Sequence, residues 1–194
     1  MIGTLGAEYV GHGPDQTLEM GPQNILLSAE TAHGSRNAMA LRMSYVVLFI
    51  QRSKSRIMEL LFDFNSDSFQ ATNIGHFARH LTDVVKVMVY QEFPNSVIWM
   101  VSDSGVLSAV TRNQQQQIVA WHSHVIGGQT AVVKSLCIVP TQGTVFSSVA
   151  GSRDRVWLLV QRIVNGSTVH YMEYISEEID VDTFYPTVNS GLTG

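Results

Sequence analysis

Three short apolar runs, VVLFIQ from Val46, VIWMVS from Val97 and VWLLVQ from Val156, constrain the fold of this chain more than any other feature. Their starting points lie 51 and then 59 residues apart (97 − 46 and 156 − 97). Each run is rich in β-branched or aromatic residues and leads through a polar turn into a second apolar run, the pattern of a β-hairpin. Around Val97 the pattern is clearest. Val97 to Val101 is apolar, Ser102-Asp103-Ser104-Gly105 turns, Val106 to Thr111 resumes, and Ile118 to Val125 adds a strand after a Gln-rich connection. That is one antiparallel meander. Around Val46 the strand Tyr45 to Gln51 turns at Ser53-Lys54-Ser55 and returns as Arg56 to Phe64, which leaves Arg52, Lys54 and Arg56 at a solvated tip. Around Val156 the strand Arg155 to Gln161 is answered by Thr168 to Ile175 across Asn165-Gly166. Asn-Gly is a strong hairpin signal because both residues tolerate positive φ.

A period near 50 residues with a four-strand unit predicts an all-β chain of propeller-like antiparallel sheets, about three blades of an incomplete ring. The middle strands read as unbroken apolar runs because a stacked sheet is covered on both faces; alternation is expected where one face meets water. On this reading Phe49, Trp99 and Trp157 are counterparts that fill the space between neighbouring sheets. Further strands are expected at Ile25 to Ala29, Val84 to Gln91 and Ala131 to Pro140, and Val84-Val85-Lys86 repeats in Val132-Val133-Lys134. The one helix signal is Asn73 to Thr82, with Thr72 or Asn73 as cap and Ile74, Phe77, Ala78 and Leu81 on one face. Residues 1–24, broken by Gly11-His12-Gly13-Pro14 and Gly21-Pro22, read as an irregular segment of turns with one short strand at most. Residues 25–176 form the β domain, and residues 177–194 are a tail, acidic at Glu177, Glu178, Asp180 and Asp182. Closed propellers have about four to eight blades. A shorter row leaves sheet edges open to pairing with another chain.

Composition narrows the functional classes. With 45% apolar and 14% charged residues among 194, much of the chain is buried against itself or against partners. A net charge of −4 gives no broad electrostatic grip on nucleic acid. The single Cys137, between Leu136 and Ile138, reads as a small buried thiol, and one cysteine makes no disulfide framework. The start MIGTLGAEYV lacks a basic, apolar leader, and no window reaches the roughly 18 apolar residues of a membrane helix, so the chain is expected to be soluble, without a membrane span, and not independently exported.

Candidate chemistry is sparse. In Trp121-His122-Ser123-His124 the two histidines share one face of a strand, which suits a metal only if a third ligand approaches from a neighbour; the other reading is a hydrogen-bonding pair at a rim or interface. His76 and His80 stand four apart on the expected helix but lack the glutamate of a zinc-protease helix, and His33 lies in the polar loop Ala32 to Asn37. Asp63, Asp67, Glu92 and Asp103 sit at hairpin ends, where a pair of carboxylates would suit glycoside hydrolysis, while turn chemistry already explains Asp67 and Asp103. No nucleophile elbow, phosphate loop or dinucleotide fingerprint is present. No catalytic residue, metal or cofactor is therefore expected.

Several segments, taken in order, resemble the tail tubular or nozzle proteins of short-tailed bacteriophages, a group that includes the phage stabilisation proteins. They are Ser28 to Arg36 (SAETAHGSR), Val47 to Phe64, Asn73 to Thr82, Ser96 to Thr111 (SVIWMVSDSGVLSAVT), Val119 to Gly128 (VAWHSHVIGG) and Val156 to Ile175. The resemblance implies a structural virion protein that self-associates into a ring, a hexamer in the family, at the distal end of the tail. It implies as partners the tail adaptor and the fibre or spike proteins, DNA that passes the channel without specific binding, and synthesis in the bacterial host cytoplasm. Family members are much longer than this chain. The alternative function is a carbohydrate-binding or glycan-degrading β-propeller.

Overall fold

The structure, a computed structural model, describes residues 1–13, 21–82, 84–113, 116–128, 130–141 and 153–175. Four antiparallel sheets follow one another along the chain, with one short helix among the described residues. The first sheet is β1 (Ile2–Gly3), β2 (Glu8–His12) and β3 (Leu26–Thr31). The second is β4 (Leu41–Met43), β5 (Val46–Ile50), β6 (Ile57–Asp63) and β7 (Ser68–Asn73). The third is β8 (Val85–Gln91), β9 (Val97–Ser102), β10 (Leu107–Asn113) and β11 (Ile118–His124). The fourth is β12 (Val132–Thr141), β13 (Arg153–Val164) and β14 (Ser167–Tyr174). In the second, third and fourth sheets each strand pairs with the next in sequence, as in propeller blades, and the sheets approach one another along their first strands, β4 beside β8 and β8 beside β12. The first sheet is set differently: its last strand, β3, lies along β7.

Local chemistry fixes the hairpins. Asn165 (φ 50°) and Gly166 (φ 77°) both adopt the left-handed region and close β13 on β14 between Val164 and Ser167, as the Asn-Gly signal predicts. Between β6 and β7 the Asp63 carboxylate accepts the Asn65 amide at 3.0 Å and the Ser66 hydroxyl at 3.0 Å, and these bonds hold its pKa below the ordinary carboxylate value. At the β9–β10 turn Gly105 has φ 85°, and a Cβ there would lie 2.3 Å from Cγ1 of Val132. The turn needs glycine for both reasons, because the Gly105 carbonyl accepts the Val133 amide of the next sheet.

Three buried layers hold the stack. Phe49, Met58 and Leu60 pack with Val10 and Phe69 between the first and second sheets. Val46, Leu48, Ile50 and Ile57 meet Val85, Met88, Ile98, Met100 and Val110 between the second and third. Val97, Trp99, Val101, Leu107 and Ala109 meet Val133, Leu136, Val156, Leu158 and Val160 between the third and fourth. Both faces of β5 and β9 are thus covered, which accounts for their continuous apolar sequences.

Four expectations need correction. Phe49, Trp99 and Trp157 are not all counterparts: Phe49 faces back to the first sheet and Trp99 forward to the fourth, while Trp157, on the forward face like Trp99, fills no space between sheets and lies on the outside of the fourth sheet against Tyr174. Phe49 and Trp99 stand 50 residues apart where the strands repeat in phase at 51, and a one-residue slip exchanges the faces, whereas Trp157, 58 residues after Trp99, keeps the forward face but has no sheet over it among the described residues. The helix is only α1 (Arg79–Thr82); Thr72 and Asn73 end β7, Asn73 Oδ1 accepts the Gly75 amide in a turn, and Phe77 is 95% exposed. The N-terminal residues read as turns supply β1 and β2 and a buried carboxylate, Glu8, which accepts the Thr31 and Ser35 hydroxyls at 2.6 and 2.8 Å and the His33 amide at 3.2 Å. Cys137 is exposed, because alternation along β12 sends Leu136 inward and its neighbour out. The acidic tail lies outside the described residues.

Candidate functional site

Among the described residues, two imidazoles and an indole gather on the forward face of the third sheet. Register places Trp99, Ala109 and His122 side by side on β9, β10 and β11, and Leu107 beside His124. Ala109 is the enabling residue: with only a methyl group between them, the Trp99 and His122 rings approach edge-on at 6.2 Å between centroids. The His124 ring lies 4.7 Å from Trp99 and 4.9 Å from His122. The two histidines are joined directly, Nδ1 of His122 and Nε2 of His124 standing 2.7 Å apart, so one nitrogen carries the proton and the other accepts it. Nε2 of His122 also meets the Thr111 hydroxyl at 3.1 Å.

Trp99 anchors the cluster to the fourth sheet. Its Nε1–H donates to Gln91 Oε1 at 2.8 Å, and Gln91 Nε2 donates to the Asp154 carbonyl at 2.9 Å. The Asp154 carboxylate accepts the Glu92 and Phe93 amides at 2.9 and 3.0 Å, which fixes the β8–β9 loop against β13. Burial lowers the pKa of His122, and for His124 burial acts first and the neighbouring His122 second. Both imidazoles therefore favour the neutral form.

The arrangement is a hydrogen-bonded imidazole pair beside an indole and a hydroxyl. The groups that approach the histidine pair are a tryptophan and a threonine, and among the described residues no three His, Cys, Asp or Glu gather to hold an ion. His76 and His80 are both exposed and His76 rests on the ring of Phe77. His33 takes part through its backbone, its amide on Glu8 and its carbonyl on Gln51. The carboxylates named from the sequence are dispersed. Asp63 and Asp67 share the β6–β7 turn, while Asp103 reaches Arg36 at 3.5 Å near the opposite end of the sheet, where the Arg36 amide binds the Ile50 carbonyl. Arg52, Lys54 and Arg56 are exposed at their hairpin tip.

Two polar contacts between sheets were missing from the sequence reading. Glu59 on β6 and Arg112 on β10 form an ion pair buried between the second and third sheets, and Nε of Arg112 has no partner among the described residues. A lone glutamate inside the apolar run RIMELLFDF was the available signal. The Gln91–Asp154 link gave none, because nothing local distinguishes a structural glutamine from a solvated one.

Compared with known proteins, the chain matches no family model and no curated protein.

Proposed function

We propose that this chain is a structural assembly module, a part of the tail tube or nozzle of a short-tailed phage or prophage that works through protein–protein contacts around a DNA exit channel. The support is twofold: the ordered resemblance of its segments to that family, and a stack of propeller-like sheets in which, among the described residues, the fourth presents an apolar outer face. That face is the observation that carries the reading. Val139, Leu159, Met172 and Tyr174 are exposed on it beside Trp157, with Met172 at 73%. Contiguous apolar surface of this kind marks an interaction site. Its equivalent on the third sheet is covered by the fourth sheet.

Co-expression with the proteins encoded beside it tests the reading. A stable complex with a tail adaptor or fibre protein that is lost on Trp157→Glu is the expected result. Hydrolysis of a host polysaccharide, abolished by replacing Asp63, Asp67 or Asp103, would overturn it in favour of a glycan-degrading propeller.

A further inference from the structure

We propose that His122 and His124 form a proton-operated latch that holds the outer corner of the third sheet closed against the fourth. The direct imidazole–imidazole contact is the element that responds to protonation. A nitrogen–nitrogen separation of 2.7 Å requires one of the two atoms to be unprotonated. When both rings are charged, each contact nitrogen carries a hydrogen, the bond is lost, and two cations face each other with ring centres 4.9 Å apart.

Among the described residues the surroundings supply no uncommitted countercharge to absorb that change. β9 offers Trp99 and β10 offers Thr111, while Arg112 of β10 is engaged with Glu59 in the layer behind. α1, with Arg79 and His80, sits behind the sheet, where the Leu81 carbonyl receives the Ser108 hydroxyl. On the fourth sheet Asp154 of β13 is held by the Glu92 and Phe93 amides, Arg162 by Glu173 of β14, and β12 brings Lys134, a further positive charge. Protonation therefore drives the rings apart. Immediately after His124 the chain places Ile126 in the layer between the third and fourth sheets and the Gly127 carbonyl on Arg162, so the loss of the pair is transmitted to that contact.

Trp99 reports the event, because a protonated imidazole in contact with an indole quenches its fluorescence. The experiment is a pH titration of the whole chain carrying Trp121→Phe and Trp157→Phe, which leaves Trp99 as its one tryptophan, excited selectively over the tyrosines, alongside ring-nitrogen NMR of the unsubstituted chain. The expected result is a fall in Trp99 emission on acidification with a midpoint below the ordinary histidine value of about 6.5, abolished by His124→Gln. NMR is expected to show the two rings titrating as a coupled pair. If the substituted chains fail to fold, the NMR titration alone decides. Independent titration of both rings at the ordinary value, or an acid response unchanged in His124→Gln, overturns the proposal.

Discussion

At the scale of single residues, the firmest consequences come from polar groups buried between sheets. Glu59 and Arg112 are both largely buried, with side-chain exposures of 8% and 12%, and each depends on the other. Removing one partner of such a pair leaves an uncompensated charge, at a cost of about 3 to 5 kcal/mol, whereas replacing both with apolar residues of similar volume is nearly neutral. Glu59→Ala is therefore expected to lower the denaturant midpoint steeply, and Glu59→Leu with Arg112→Leu to recover most of the loss; equal loss in both would contradict the pairing. The histidine pair gives a pH dependence of definite sign. Both folded pKa values are lowered, so the folded state binds protons less readily than the unfolded chain. Stability contributed by the neutral pair is intact above the unfolded value of about 6.5 and is lost as pH falls from there through the folded values. Urea midpoints measured from neutral to mildly acidic pH are expected to fall more in the unsubstituted chain than in a His122→Gln, His124→Gln variant.

At the scale of elements, Asp154 is the test case for how one sheet fixes its neighbour. Its carboxylate accepts two amides of the β8–β9 loop, and hydrogen bonds to a charged group contribute about 1.5 to 3 kcal/mol each. Asp154→Ala is expected to destabilise by a few kcal/mol in equilibrium unfolding and to raise amide exchange at Glu92 and Phe93; exchange unchanged at those two amides would contradict the assignment. The hairpins themselves were legible in the sequence, because an Asn-Gly turn and apolar runs of strand length act locally. Features that depend on what covers a face were not. Apolar spacing in NIGHFARHLT imitates a helix, but β6 claims Asn73 as a partner of Met58, and Gly75 turns the chain before a first helical turn forms. Trp157 was misplaced because an unbroken apolar run does not reveal whether both faces of its sheet are covered by neighbours. The histidine pair was legible as a same-face pair; its contact with Trp99 was not, since only the pairing of three strands brings Ala109 between them.

At the scale of the whole molecule, the described sheets form an open stack, each apolar layer made by two consecutive sheets. The third and fourth sheets interlock through Trp99, Gln91 and Asp154, while the fourth turns Trp157, Leu159, Met172 and Tyr174 outward. Burying such a face yields roughly 25 cal/mol per Å² of apolar area removed from water, an incentive for association that a polar outer face would lack. Among the described residues no helix is long and apolar enough to cross a membrane. Sedimentation velocity over a wide concentration range measures the association directly. The account predicts concentration-dependent assembly of the unsubstituted chain and a monomer for Trp157→Glu with Met172→Glu. A strict monomer at every concentration, or assembly indifferent to those two substitutions, would contradict it.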